Sequence, residues 1–259
     1  MNILLTNDDG IKAEGLHTLR KGLSKLGKVI IIAPDRERSA TGHSLTLTHP
    51  IRVEEIDENT FVTDGTPADC INIGILGILK ERPDIIISGI NPGPNLGEDV
   101  TYSGTVSAAM EGTLLKIPSF AISMGSYIDP KFDFEACLVA AQFASKIAAL
   151  ILNHGLPPHT FLNINVPNVP EEKIKGVAIT HLGNRKYHEE LIKRLDPRGK
   201  VYYWIGTKVV VNEQGEACLV EEGTDVRAIQ EDKISITPIH LDMTNYLAIP
   251  ELKKWDFQK

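Results

Sequence analysis

Two adjacent carboxylates, Asp8 and Asp9, follow a short apolar run and precede a glycine in the segment NILLTNDDG, residues 2–10. Oxygen donors that could act with them recur later, as Ser39 in PDRERSATGHS and Asn91 in GINPGPNLGEDVTYSG. Two carboxylates, a hydroxyl and an amide carbonyl form an all-oxygen set suited to one hard divalent ion per subunit, Mg²⁺ or Mn²⁺, with Ca²⁺ as a further candidate. Zinc would more often draw His or Cys. Carboxylates held together repel, and a divalent ion is the simplest way to keep both ionised. The loop after Asn91 adds Asn95 and then Ser103, Gly104 and Thr105. Unpaired N–H groups at a helix start, beside a glycine that admits a ligand, form an anion site, so these four are candidate phosphate ligands. Plainer readings stand beside these: Asp-Asp-Gly suits an ordinary turn, and Ser-Gly-Thr an ordinary helix cap.

The elements that must position these groups follow from hydrophobic pattern. Residues 3–5 form a buried strand, residues 14–26 carry Leu16, Leu19, Leu23 and Leu26 at helical spacing, and residues 29–33 form a second buried strand. That β-α-β unit implies a parallel pair with a right-handed crossover. It brings Asp8, Asp9, Arg36, Arg38, Ser39 and His43 to one sheet edge, the carboxyl ends of the strands, where open α/β sheets hold ligands. Strands are expected at 45–53 and 60–63. A helix begins at Thr66-Pro67-Ala68-Asp69, where Thr caps, Pro fits the first turn and Asp lies three residues on, and it runs to about residue 80. A strand at 84–88, the long Gly/Pro loop 89–104, a small-residue helix at 105–116, a strand at 117–123, a helix at 133–152 and a strand at 161–166 complete the regular part. Beyond residue 182, short strands at 201–204, 208–211 and 234–236 stand among charged turns. The fold class expected is α/β: a Rossmann-like, mostly parallel sheet with helices on both faces over residues 1–182. Residues 183–259 form a β-rich extension with a strand near 234–240.

The 259 residues carry a net charge of -7, with no run of Lys and Arg, which argues against a nucleic-acid polymer as partner. No basic segment leads into a longer apolar one at the amino terminus, and no stretch is expected to reach the ~20 apolar residues of a membrane span. Cys70, Cys137 and Cys218 are odd in number and far apart. They read as reduced thiols, which favours the cytoplasm.

The segments LLTNDDG, APDRERSATGHSLTL, GTPADC, DIIISGINPGPNLGEDVTYSGTVSAAMEG and SITPIHLDMT resemble those of the survival protein E family, SurE, over most of the chain. The resemblance implies a metal-dependent 5′-nucleotidase with the metal on Asp8, Asp9, Ser39 and Asn91 and the phosphate on Asn95, Ser103, Gly104 and Thr105. It also implies a homodimer or homotetramer whose carboxyl-terminal segments exchange between subunits. Two departures stand out: Ala40-Thr41 where the family commonly has Gly after the loop serine, and Glu231-Asp232-Lys233 where a Gly often precedes the strand.

The expected reaction is hydrolysis of a nucleoside 5′-monophosphate, with 3′-nucleotides and short polyphosphate as side substrates. Asp8 orients or deprotonates the attacking water, and a covalent aspartyl-phosphate is less favoured because the two aspartates are adjacent. His43 is an auxiliary candidate that could donate to phosphate or leaving group. Two other classes fit less well. A receiver domain needs a phosphoacceptor Asp where this chain has Ser88-Gly89-Ile90-Asn91, and a dinucleotide-binding fold needs Gly-rich sequence where it has Asn7-Asp8-Asp9-Gly10.

Overall fold

The computed structural model describes residues 1–125, 133–184, 187–209 and 221–257. Its centre is β1 (Asn2–Thr6), with fully buried Ile3, Leu4 and Leu5. Helix α1 (Glu14–Leu23) crosses over to β2 (Lys28–Pro34), which pairs parallel with β1. The helix stops three residues short of the expected Leu26, because the Leu26 N–H turns back to the Leu23 carbonyl at 2.9 Å. Beyond β2 lie β4 (Thr60–Thr63), parallel to it, and the edge strand β3 (Val53–Asp57), antiparallel to β4. No strand forms over the expected 45–52. Leu47 is 86% exposed there and Pro50 offers no N–H, so the alternating pattern has neither a core to face nor a ladder to join.

On the other side of β1 come β5 (Ile85–Asn91), β6 (Ser119–Gly125) and β7 (Thr160–Pro167), all parallel. The chain therefore leaves β1 toward β2 and later returns to its opposite flank at β5. That reversal is a topological switch point, where the carboxyl ends of β1 and β5 part and leave a crevice. The full order is β3-β4-β2-β1-β5-β6-β7-β11-β8, where β8 is Val177–Ile179 and β11 is Ile234–His240. β11 is antiparallel to β7 and parallel to β8, so the carboxyl-terminal segment contributes a strand to the main sheet.

Alternating strand side chains meet a helix layer on each face. Ile3, Leu5, Ile31, Ile85 and Ile87 pack with α1 and α4 (Phe134–His154); Leu4, Ile30, Ile32 and Ile86 pack with α2 (Pro67–Ile73) and α3 (Gly104–Leu114). The α2 start carries the expected capping box: Thr66 Oγ1 accepts from the Asp69 N–H at 3.1 Å, and the Thr66 N–H donates to Asp69 Oδ2 at 2.8 Å. Its helix gives way to a wider turn at Gly74–Ile78 and ends before Lys80. α4 corrects the expectation about apolar length. Its 21 residues are long and apolar enough, by length and composition, to cross a membrane. Its apolar stripe, Ala136, Ala140, Ala144, Ile147, Ala148 and Ile151, is buried in the protein core, which accounts for that composition.

The remaining elements are a β9–β10 hairpin (Tyr187–Leu195 and Val201–Val209), α5 (Asp225–Gln230) and α6 (Ala248–Leu252). The two short strands expected at 201–204 and 208–211 are a single strand as far as Val209; residues 210 and 211, like Cys218, lie outside the described residues. Cys70 and Cys137 are buried free thiols.

Candidate active site

The backbone after β1 turns sharply at Gly10, whose φ of 96° is readily adopted only by glycine. A Cβ there would lie 3.0 Å from the Arg36 carbonyl carbon, so the acidic loop and the loop after β2 are pressed together. The Arg38 N–H donates to the Asp8 carbonyl at 2.7 Å and ties the two loops in register. From the third side comes the start of α3. The Thr105 hydroxyl donates to Asp8 Oδ1 at 2.5 Å, and a Cβ on Gly104 would stand 2.8 Å from Asp8 Cβ. The positive end of α3 thus meets the carboxylate of Asp8 directly.

The electrostatics of this corner call for a cation. Asp8 is 5% exposed, and burial pushes its carboxyl above the usual range although the Thr105 hydroxyl and N–H oppose the rise. Burial, then the Asp8 charge, then Glu37 push Asp9 up to about 7. Asp9 Oδ2 is buried and receives no hydrogen bond among the described residues. An orphaned carboxylate oxygen beside a second buried carboxylate and near a third acid fits a bound divalent ion, which would bring both aspartates back to the ionised form.

Ser39 and Asn91 each keep an acceptor oxygen. The Ser39 hydroxyl donates to Glu37 Oε1 at 2.7 Å, which leaves its lone pairs for another partner. Asn91, the last residue of β5, donates Nδ2 to the Gly93 carbonyl at 2.5 Å, which leaves Oδ1 as its acceptor. Among the described residues no three His, Cys, Asp or Glu side chains gather to hold a metal. The donor set here has only two carboxylates, a pattern that suits an ion such as Mg²⁺ that keeps several of its waters. A cleft of about 340 Å³ opens beside Asp9 and is lined by Glu14, Gly15, Glu37, Ile90 and Pro92.

Of the candidate phosphate ligands, Ser103 and Gly104 lie at the α3 start with Thr105. Ser103 caps the helix, accepting from the Val106 N–H at 3.1 Å, so its own O–H stays available as a donor. Asn95 belongs to a different contact set. Its backbone carbonyl accepts from Asn163 at 2.8 Å and Asn165 at 2.9 Å, and its Nδ2 donates to Ser123 at 2.7 Å. Those buried bonds anchor the loop to β6 and β7. The bond to Ser123 uses one of the two Asn95 Nδ2 hydrogens, and the second remains available as a donor.

Arg36 is spent on Asp35, with Nη2 to Oδ2 at 2.5 Å, and the Arg38 guanidinium donates to the Asp64 carbonyl. His43 Nε2 lies 2.5 Å from Glu111 Oε2, and Glu111 Oε1 accepts from Asn72 Nδ2 at 2.8 Å. Sequence reasoning missed Glu37, Asn72 and Glu111. The one available signal was Glu111, the sole charged residue in the otherwise small and neutral helix GTVSAAMEGTL.

Residues 3–189 match the family described as Survival protein SurE. A protein named 5′-nucleotidase SurE from Geotalea daltonii is 51% identical over 256 residues, covering 99% of each chain. One of the same name from Carboxydothermus hydrogenoformans is 50% identical over 262 residues, covering 98% of this chain and 96% of its own. The crystal structure of the SurE protein from Aquifex aeolicus superimposes with a TM-score of 0.84 at 44% identity, covering 98% of each chain.

Proposed function

The chain belongs to the SurE family, and on that premise we propose that it hydrolyses nucleoside 5′-monophosphates to nucleoside and phosphate with the aid of a divalent metal. It is a phosphoric monoester hydrolase of the 5′-nucleotidase type. The observation that carries the chemical reading is the α3 start closing on Asp8 while the neighbouring Asp9 keeps a buried oxygen with no hydrogen bond among the described residues.

In this reading Asp8, Asp9, Ser39 and Asn91 hold one Mg²⁺ or Mn²⁺, with Ca²⁺ as an alternative. Bound there, the ion supplies Lewis-acid polarisation of a phosphoryl oxygen and makes water more acidic. The protein's own groups do the rest. The Ser103 hydroxyl and the N–H groups of Gly104 and Thr105 hold phosphate oxygens and meet the charge that grows on them in the transition state. Asp8 orients the attacking water and takes its proton. Asn95 donates to the phosphate through its remaining amide hydrogen, while its bonds to Asn163, Asn165 and Ser123 fix the loop that carries Ser103. 3′-Nucleotides and short polyphosphate belong to the same reading as side substrates, since nothing in the α3 start distinguishes one terminal phosphate from another.

Residues 1–182 carry the chemistry, and residues 183–259 are assigned to self-association into a dimer or tetramer by carboxyl-terminal exchange. Exposed apolar side chains support this: Trp204 is 65% and Ile205 87% exposed on the hairpin, and Leu247, Trp255 and Phe257 are exposed near the end. The reduced state of Cys70 and Cys137 supports a cytoplasmic setting. The test is Mn²⁺ binding by titration calorimetry together with hydrolysis of adenosine 5′-monophosphate. Wild type is expected to bind one ion per subunit and to turn over. Turnover that is undiminished in chelator would remove the metal from the mechanism.

A further inference from the structure

The geometry points to His43 as the proton donor to the leaving 5′ oxygen and to Glu111, braced by Asn72, as the residue that positions it. This rests on the phosphomonoesterase reading above. The loop that carries His43 is fastened around the site: Arg38 N–H to the Asp8 carbonyl at 2.7 Å, and Gly42 N–H to the carbonyl of Tyr102, the residue before Ser103, at 3.0 Å. The Thr66 hydroxyl holds the Ser44 carbonyl at 2.8 Å. The His43 backbone is therefore held beside the α3 start, while its ring, 29% exposed, lies against Glu111, the eighth residue of α3, whose side chain is 9% exposed.

The tautomer follows from the partners. A buried carboxylate would ordinarily be pushed up, yet the hydrogen bond from His43, with that from Asn72, holds Glu111 below the usual range. Glu111 is thus ionised and can only accept. Against an ionised Glu111 the 2.5 Å contact places a proton on His43 Nε2, which leaves Nδ1 as the nitrogen not engaged by the carboxylate. A carboxylate that fixes the far nitrogen of an imidazole sets its tautomer and orientation and stabilises the imidazolium. The other charge facing the pair is Asp69 on α2, whose carboxylate also favours a cation at this place.

In the step, the water oxygen bonds to phosphorus as the P–O5′ bond breaks. The electron pair of that bond stays on the 5′ oxygen, which takes the proton from Nδ1 of the imidazolium. Asp8 takes the proton that the water gives up. The products are the nucleoside with its 5′ hydroxyl and inorganic phosphate, and His43 and Asp8 return to their starting states by exchange with solvent. A nucleoside 5′ oxygen is a poor leaving group and needs that proton; a nitrophenolate does not.

The experiment compares kcat/KM for adenosine 5′-monophosphate and 4-nitrophenyl phosphate in wild type, His43→Gln and Glu111→Gln, with the same metal. His43→Gln should lower the nucleotide value by about 100-fold and the nucleotide-to-aryl ratio by at least about tenfold. Glu111→Gln should move the ratio in the same direction by less. Residual aryl phosphate hydrolysis shows that each variant is folded. A second readout needs no turnover: ¹⁵N NMR of the histidine rings in metal-free protein should place the His43 proton on Nε2 in wild type and show mixed tautomers in Glu111→Gln. Equal losses on both substrates, an unchanged ratio, or an Nδ1–H tautomer in wild type would overturn the assignment. If wild type hydrolyses neither substrate, the phosphomonoesterase reading falls first and this one with it.

Discussion

Gly104 and Asp8 are in such close approach that a single methyl group cannot fit between them: a Cβ on Gly104 would sit 2.8 Å from Asp8 Cβ and 2.9 Å from its Oδ2. The start of α3 and the end of β1 therefore behave as one unit, and a shift in either moves the carboxylate relative to the helix N–H groups. Gly104→Ala should cost about 100-fold in kcat/KM, since a displacement near 1 Å at reacting groups has that scale, and about 1–3 kcal/mol of stability from overpacking. Steady-state kinetics with a thermal melt checks both. Wild-type kinetics in the alanine variant would mean that the close approach has no part in catalysis.

Asp8→Asn keeps the shape of the side chain and removes its ability to take a proton. Turnover of adenosine 5′-monophosphate should fall by at least about 1000-fold while the far-ultraviolet circular dichroism stays that of wild type. A variant with near wild-type rate would take Asp8 out of the mechanism.

Asp9 gives a stability test with a definite sign. Its carboxyl lies at about 7 in the folded chain against an ordinary value of 3.8, so the unfolded chain releases that proton first as pH rises. In metal-free protein this contribution is favourable at acid pH, is lost as pH rises from about 4 to about 7, and stays lost above. Asp9→Asn should raise the melting temperature at pH 8 in chelator by up to about 10 °C, since a rise from 3.8 to about 7 corresponds to at most about 4 kcal/mol. Added Mg²⁺ or Mn²⁺ should stabilise wild type and have little effect on the variant. A lower melting temperature for the variant in chelator would show that the Asp9 charge is already compensated without metal.

Among the described residues the β9–β10 hairpin pairs only with itself, and it exposes Leu191, Tyr203, Trp204 and Ile205. Replacing residues 187–209 by a short polar linker should lower the assembly state by gel filtration coupled to light scattering. An unchanged mass would move the self-association surface elsewhere.

What could be seen in the sequence was local. Asp8-Asp9-Gly10 follows its strand directly, Thr66 to Asp69 spells out its own cap, and the alternation of buried runs with helical spacing gives the parallel sheet and its ligand-bearing edge. What could not be seen depends on long-range pairing. Glu111 meets a histidine 68 residues away and an asparagine 39 residues away, and nothing in AAMEG announces either partner. β11 is a short apolar run whose place between β7 and β8 is set by the sheet rather than by its own pattern. At 45–52 the opposite error arises: SLTLTHPI alternates like a strand, yet its segment is spent on anchoring contacts such as Thr46 N–H to Asp69 Oδ1 at 3.0 Å. Asn95 shows the same limit within the site, because its bonds to Asn163, Asn165 and Ser123 come from strands remote in the chain.

The most direct measurement is phosphate release from nucleoside 5′- and 3′-monophosphates and an aryl phosphate, with Mg²⁺ or Mn²⁺ and again with a chelator. Release should be strongest on 5′-monophosphates and abolished by the chelator. Binding of metal and nucleotide without release under any metal would contradict this and make the Asp8 site one of binding rather than catalysis.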